Sequence, residues 1–401
     1  MRGKLQPPLY MIAYLTDVEG RWDKVISFTT GNPHVSLVNG ELQLADGVTF
    51  VFGGDAIDRG PHARRFVSLL LAAKRKYGER VVFLAGNRDI NKTRLMTELR
   101  GKPHRLAPPN LAGAELLKWT LANTMGAAKA FEYRAAELRE MGAPFDDDAV
   151  VQSYLADLSP GGAMHEFLKE NRLGYRVGAT LFLHGGLTAE NFLQLPDAPH
   201  ARDVDSWLAA LNRFYRDQLA IFETGTRPDA LIQYQSQGPD KLNQQSVVYA
   251  RPTDDCGNPF LPPRAIVERL MNEGIRRIVV GHTPSGDCPA ILRDGEFELL
   301  LADNSYGRIE QGSQVYITDD ETQVRALTQL DGGNEAKVAF TSSRQESSPL
   351  GLRDRDTGQL VKARLENGDY LLFRGLPQYR VEQVSVPADE LASRTLVLAR
   401  G

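Results

Sequence analysis

Val48-Thr49-Phe50-Val51-Phe52-Gly53-Gly54-Asp55-Ala56-Ile57-Asp58-Arg59-Gly60 joins an apolar, β-rich run to a burst of glycine, carboxylate and arginine. A run this hydrophobic suits a strand buried on both faces, as in a sheet covered by other layers. Polar residues immediately after such a strand lie at the carboxyl edge of the sheet, where α/β proteins build ligand sites. The same reading applies at four other places. Tyr10–Leu15 precedes Asp17-Val18-Glu19-Gly20, and Val81–Leu84 precedes Gly86-Asn87-Arg88-Asp89. Thr180–Leu183 precedes His184-Gly185-Gly186-Leu187, and Arg277–Val280 precedes Gly281-His282-Thr283-Pro284. Five polar segments at five strand ends can converge on one centre.

The intervening pieces fit such a sheet. Pro61–Tyr77 reads as a helix with apolar Phe66, Leu69, Leu70 and Ala73, and Pro263–Glu273 as another closed by Gly274. Asn39-Gly40 and Asp294-Gly295 read as hairpin turns. Residues 91–176 and 188–245 are insertions of helical pattern, clearest over Ala114–Met141, Ala149–Leu158 and Asp203–Phe222. They are expected either to cap the site or to pad the flank of the sheet. Gln314–Thr318 completes the core of a first domain, residues 1–335. Residues 340–401, including the linker-like Ser342–Ser348, alternate strand-like runs with turns such as Asp356-Thr357-Gly358 and Glu366-Asn367-Gly368-Asp369. A small β appendage without a catalytic motif is expected there.

Together the five segments supply carboxylates, an amide and imidazoles, the donor mixture that holds a pair of divalent cations around a phosphate. Their order and spacing resemble the calcineurin-like metallophosphoesterase superfamily, nearest its phosphoprotein-phosphatase-like branch, over roughly residues 10–310. The resemblance implies an α/β fold, a two-sheet sandwich flanked by helices, here with a helical cap insertion and the C-terminal β appendage. It also implies hydrolysis of a phosphate ester or anhydride, two divalent metal ions, and a metal-bridging hydroxide as nucleophile. In that pattern Asp17 matches a carboxylate on the first metal and Asp55 the carboxylate bridging both. Asn87 matches the amide on the second metal, and His184 and His282 its imidazoles. A core histidine is the plainer reading of His184, but Gly185-Gly186 beside it leaves room for a ligand to approach. Asp58, Arg59 and Arg88 fall at catalytic positions, and Asn87, Arg59, Arg88 and Arg251 at phosphate-contacting ones. Arg59 has a structural pair with Asp58 as its competing role. Tyr306, in Asp303-Asn304-Ser305-Tyr306-Gly307, either lines the pocket or is a turn residue.

Two positions depart from the pattern. Where the family has Asp-x-His-Gly, this chain has Glu19. A carboxylate there can ligate, making the first site harder and favouring Mn²⁺, with Mg²⁺ or Fe next, over Zn²⁺. Alternatively Glu19 reaches a nearby arginine, and the first metal is weakly held or absent. Where the family has Gly-Asn-His, with the histidine oriented by the match to Asp58 and protonating the leaving oxygen, this chain has Arg88. A guanidinium stays charged and cannot protonate a leaving group, though it can pair with Asp58 and clamp an anionic oxygen. Loss of a general acid costs roughly 10²–10⁴ in rate for a poor leaving group. Aryl phosphates and anhydrides are therefore the expected substrates, in preference to alkyl phosphates, unless His165 or His200 of the cap replaces the acid. The competing function is a weakened phosphoesterase fold that serves as a phosphate-recognising binding or regulatory module.

Composition narrows the partners. Forty-seven basic residues against 51 acidic ones give a net charge of −4, so no surplus points to nucleic acid or an anionic membrane. No apolar run approaches the roughly 20 residues of a membrane span. Leu9–Leu15 runs straight into a polar motif and reads as a first strand, not a signal peptide. Two cysteines, Cys256 and Cys288, fit a reducing, cytoplasmic setting as inert thiols, with a redox-sensitive pair the alternative. The expected partner is a phosphorylated small molecule or phosphoprotein.

Overall fold

The computed structural model describes residues 10–196, 200–238, 243–309 and 311–400. Residues 1–9, with Leu9 of the first apolar run, and residues 197–199 and 239–242 of the second insertion lie outside that description. The early strands are β1 (Met11–Leu15), β2 (Val35–Val38), β3 (Glu41–Leu44), β4 (Val48–Phe52) and β5 (Val81–Leu84). Asn39 and Gly40 both take left-handed φ, 51° and 80°, which closes the β2–β3 hairpin. Between these strands lie helices α1 (Trp22–Thr29) and α2 (Ala63–Tyr77), and α3 (Asn87–Asn91) follows β5. The next strands are β6 (Asn171–Arg172), β7 (Gly174–Val177), β8 (Thr180–Leu183), β9 (Arg277–Val280), β10 (Ala290–Asp294) and β11 (Phe297–Leu301). Three antiparallel strands then follow, β12 (Gln314–Ile317), β13 (Glu321–Gln329) and β14 (Glu335–Ser343).

These strands build two sheets. One has the order β14-β13-β12-β1-β4-β5-β6 and the other β10-β11-β9-β8-β7. The pairs β1–β4, β4–β5, β8–β9 and β9–β11 are parallel, so their carboxyl ends point the same way within each sheet. Alternation along each strand splits it between two apolar layers. Ile12, Tyr14, Val51 and Val82 meet Phe182, Val279, Ile291 and Leu300 of the other sheet. Ala13, Leu15, Phe50, Phe52 and Phe83 face outward, in a cluster with Phe66 and Leu70 of α2. This double burial explains why the motif-bearing strands read as continuous hydrophobic runs. The molecule is the expected two-sheet sandwich flanked by helices.

The first insertion is helical over Gly113–Thr124, Ala130–Glu140, Asp147–Leu158 and Ala163–Glu170. Ala114–Met141 thus forms two helices, parted where Gly126 takes φ 61°. Glu137 accepts the backbone N–H groups of Arg64 and Arg65 at 3.1 and 2.8 Å, satisfying donors in the first turn of α2. The insertion thereby steadies the exit of the Asp55–Gly60 segment. In the second insertion Asp203 caps the helix Val204–Glu223. No helix among the described residues is long and apolar enough to cross a membrane.

β14 runs through the region where the sequence changes character and forms the outer strand of the large sheet. A third, antiparallel sheet follows: β15 (Leu352–Asp354), β16 (Leu360–Arg364), β17 (Tyr370–Leu376), β18 (Arg380–Val386) and β19 (Leu396–Leu398), ordered β18-β17-β16-β15-β19. Its Val361, Leu371 and Leu372 join the apolar layer between the first two sheets. Two fully buried polar side chains face the loop after His282. Lys362 Nζ donates to Ser285 O, and Gln383 Nε2 donates to Asp287 Oδ2 at 2.8 Å. Asp287 also accepts N–H from Gln329 and Ile309, at 2.8 and 2.9 Å, so one aspartate ties this loop to the large sheet and to the segment after Tyr306.

At the opposite ends of β9 and β11, Arg277 and Glu298 form a fully buried pair, Nε to Oε1 at 2.8 Å. Glu298 also accepts from Thr322 and Ser342, and Arg277 donates to Thr180 and Thr318. Removing one partner leaves a buried charge without compensation. Arg277→Ala is expected to lower the unfolding free energy by about 3–5 kcal/mol in denaturant titration; a loss under about 1 kcal/mol would contradict this.

Candidate active site

Backbone hydrogen bonds lace the loop after β1 to that after β4, and the loop after β8 to that after β9. Asp17 N–H donates to Gly54 O, Glu19 N–H to Asp55 O, and Gly281 N–H to His184 O, each at 2.9 Å. Among the described residues nine non-glycine residues have φ in the left-handed region, and six of them are here: Asp17, Glu19, Asp55, Asp58, His282 and Tyr306. Such conformations persist where surrounding structure over-determines them, and they concentrate at functional sites. Gly54, at φ 101°, would place a Cβ 2.6 Å from His184 Nδ1, so no side chain fits there.

Asp55, His184 and His282 bring their donor atoms within 4.8 Å of one another, all buried. Asn87 Oδ1 lies 3.3 Å from His184 Nε2, and Asp55 Oδ1 lies 3.4 Å from the same nitrogen. His184 Nδ1 donates to Gly53 O at 2.7 Å, which turns Nε2 toward the cluster. His282 Nε2 is buried and has no hydrogen-bond partner. Burial, reinforced by Arg251, holds this imidazole well below its usual pKa, so it is neutral with a free lone pair. An orphaned imidazole nitrogen beside a carboxylate, an amide and a second imidazole fits a divalent cation, and this donor set suits Mn, Fe or Zn.

Burial acts against charge on both Asp55 and His184, but each outweighs it for the other. Asp55 is held well below the usual carboxylate range, chiefly by His184 and then Arg88, while His184 is raised, chiefly by Asp55. A cation taking His184 Nε2 must therefore displace a proton. Cation affinity is expected to rise with pH through neutrality, and calorimetry in buffers of different ionisation heat should show about one proton released per cation. Binding heats independent of the buffer would contradict this.

The Glu19 side of the site is arranged differently. Arg59 Nη1 meets Glu19 Oε2 at 2.9 Å and Arg88 Nε meets Oε1 at 2.8 Å. Ser305 Oγ donates to Oε2 at 3.0 Å. Arg88 Nε also lies 3.5 Å from Asp55 Oδ2, and its Nη2 donates to Tyr306 OH at 3.1 Å. Arg59 stacks on the Tyr306 ring at 3.8 Å, so this tyrosine overhangs the site. Burial disfavours charge on Arg88, but Glu19, Asp55 and Asp58 more than offset it and raise its pKa, so it stays a guanidinium. Asp17 accepts from Thr16 Oγ1 at 2.6 Å and from the His282 N–H at 3.1 Å.

Asp58 pairs with Lys92 Nζ at 2.6 Å, whereas Arg88 Nη1 stays 3.8 Å away. Sequence reasoning missed Lys92; its signal was the four-residue spacing from Arg88 across α3 and the turn after it. Asp89 was also missed as a support. It accepts N–H groups from Asp55, Ala56 and Gly86 at 2.9, 2.9 and 3.1 Å, and sits at the third helical position where capping carboxylates occur. Lys24, fully buried, donates to Asp17 O and Ser305 Oγ at 2.6 and 3.0 Å. Arg251 has its Nε buried without a hydrogen-bond partner, and Tyr249, two residues before it, packs on His282 at 4.9 Å. The two cap histidines are engaged elsewhere: His165 with Glu166, Glu223 and Phe222, and His200 with Gln194. Cys256 and Cys288 are both free thiols.

The family model for calcineurin-like phosphoesterases matches residues 11–286, from β1 through the loop after His282. The chain belongs to the calcineurin-like phosphoesterase family. Solved structures similar to this phosphoesterase chain include a cold-active protein-tyrosine phosphatase of a psychrophilic Shewanella species, at 14% identity and TM-score 0.46 over 82% of this chain and 80% of that one. A protein serine/threonine phosphatase from Saccharomyces cerevisiae matches at 13% identity and TM-score 0.39, over 84% and 81%. A metallophosphoesterase from Sphaerobacter thermophilus matches at 11% and 0.31, over 77% and 84%. No curated protein matches the sequence.

Proposed function

We propose that this chain is a metal-dependent phosphoesterase that hydrolyses phosphate esters or anhydrides with good leaving groups. The observation that carries the reading is the convergence of Asp55, Asn87, His184 and His282 beside two arginines, Arg59 and Arg88. A divalent cation held there, with Mn²⁺ the first to test, would neutralise a phosphoryl oxygen and acidify a water. The chain's own residues do the rest. Arg88 keeps one donor, Nη1, buried and without a hydrogen-bond partner, 3.8 Å from Asp58 Oδ2, and its guanidinium would contact a phosphoryl oxygen bound beside the cation. Arg59 and Arg251 flank it as further anion contacts. Asp58 and Lys92 form a buried pair that braces the loop beneath Arg88.

Arg88 cannot give up a proton, and His62 at the neighbouring cleft is paired with Glu140 at 3.1 Å, so bond cleavage relies on a leaving group stable as an anion. A cleft of about 810 Å³ opens beside Arg59, lined by Arg21, Trp22, His62 and Tyr133, with room for an aryl or nucleotide-sized group. The substrate is a phosphorylated small molecule or a phosphoprotein, encountered in the cytoplasm. The ion pairs that occupy Glu19 favour a second reading, a phosphate-recognising module with little turnover. The two part in one assay. Metal-stripped protein reloaded with Mn²⁺, Mg²⁺, Fe²⁺ or Zn²⁺ should release p-nitrophenol from p-nitrophenyl phosphate well above the stripped protein. Equal background rates under every loading would leave the binding module.

A further inference from the structure

The resemblance implies two cations, but the donors on the Glu19 side do not fit the first of them. Both Glu19 oxygens are taken, one by Arg88 Nε and the other by Arg59 and Ser305 Oγ. Asp17 is held by Thr16 and by the His282 N–H. Among the described residues the only cluster of convergent carboxylate, imidazole or thiol donors is Asp55, His184 and His282; Asp17 and Glu19 are not part of it.

What lies between Glu19 and Asp55 is the Arg88 side chain, with Nε 2.8 Å from one carboxylate and 3.5 Å from the other. These are the carboxylates a first cation would need to share. From this we infer that the guanidinium of Arg88 permanently replaces the first cation, so that the chain binds one divalent ion and presents Arg88 to the phosphate as the second positive charge. The inference rests on the phosphoesterase reading and deepens it.

The physical case has three parts. A guanidinium is charged at every working pH and cannot dissociate from the chain, so the position is filled whatever metals are at hand. A cation entering it would have to expel Arg88 from a buried pair with Glu19, leaving the guanidinium in search of a partner. The guanidinium has donors enough to hold its place: Nε faces the Glu19 and Asp55 carboxylates, Nη2 donates to Tyr306, and Nη1, without a hydrogen-bond partner, lies 3.8 Å from Asp58. The two departures in the sequence are therefore one change. A carboxylate at position 19 and an arginine at position 88 make a pair that closes one metal position, where two imidazoles would not.

Cation counting tests this without reference to turnover. The full-length chain, saturated with Mn²⁺ and freed of excess, should hold one ion by elemental analysis and show the six-line resonance of an isolated Mn²⁺. The double variant Glu19→His with Arg88→His, which restores imidazoles at both positions, should hold two and show an exchange-coupled spectrum. Two ions in the wild-type chain would overturn the inference while leaving the phosphoesterase reading intact. One ion in both chains would also overturn it, since something other than Arg88 would then close the position. No ion in the wild-type chain would overturn both.

Discussion

Asp55→Asn is expected to abolish tight cation binding and to reduce phosphate release from an aryl phosphate by about a thousand-fold or more. Asp55 is the single anionic donor in the set with Asn87, His184 and His282. Its carboxylate also accepts the Arg88 backbone N–H at 2.9 Å and faces the guanidinium at 3.5 Å, so it orders Arg88 as well. The amide keeps the shape and removes the charge, leaving two imidazoles and two amides, a poor set for a divalent ion. Charge stabilisation by a bound cation is worth several kcal/mol in such reactions, and about 4 kcal/mol corresponds to a factor of about 10³. Circular dichroism of the variant should match wild type, separating loss of the ion from loss of the fold. An Asn variant within ten-fold of wild type would remove Asp55 from the reaction.

The second large effect concerns the leaving group. At equal cation loading, kcat/KM for p-nitrophenyl phosphate or a phosphoanhydride should exceed that for an alkyl phosphate by roughly 10²–10⁴ beyond what an enzyme with a positioned acid shows. The reason is local. Arg88 stands where a proton donor is expected, its charge is locked in by Glu19, Asp55 and Asp58, and a guanidinium cannot give up a proton. Asp58 is committed to Lys92, at 2.6 Å. A series of phosphate esters of graded leaving-group acidity should give a steep dependence of rate on leaving-group pKa. A flat series, with phosphoserine cleaved as fast as the aryl ester, would mean that another group supplies the proton.

Much of the scaffold was legible because it is local. β1, β4, β5, β8 and β9 announce themselves as apolar runs, and the groups that follow them arrive at one place because parallel pairing aligns their carboxyl ends. Asn39-Gly40 closes its hairpin for reasons contained in two residues. The ion pairing was not legible. Glu19 faces arginines from two other segments, 40 residues away at Arg59 and further on at Arg88 of α3, and only the fold decides that both reach it. Asp58 takes Lys92 over Arg88 because the turn after α3 brings that amine to 2.6 Å. The C-terminal strands carry no motif, yet Lys362 and Gln383 reach back 77 and 96 residues to the loop behind His282. Sequence pattern registers periodicity and turn chemistry. It does not register which buried charge finds which partner.

The most direct test of the account is anomalous diffraction from crystals loaded with Mn²⁺ and soaked in inorganic phosphate. The expected result is a cation bound by Asp55, Asn87, His184 and His282, with a phosphate beside it whose oxygen accepts from the Arg88 guanidinium. A cation at any other cluster, or a phosphate bound away from these residues, would contradict the assignment of this site as the catalytic centre.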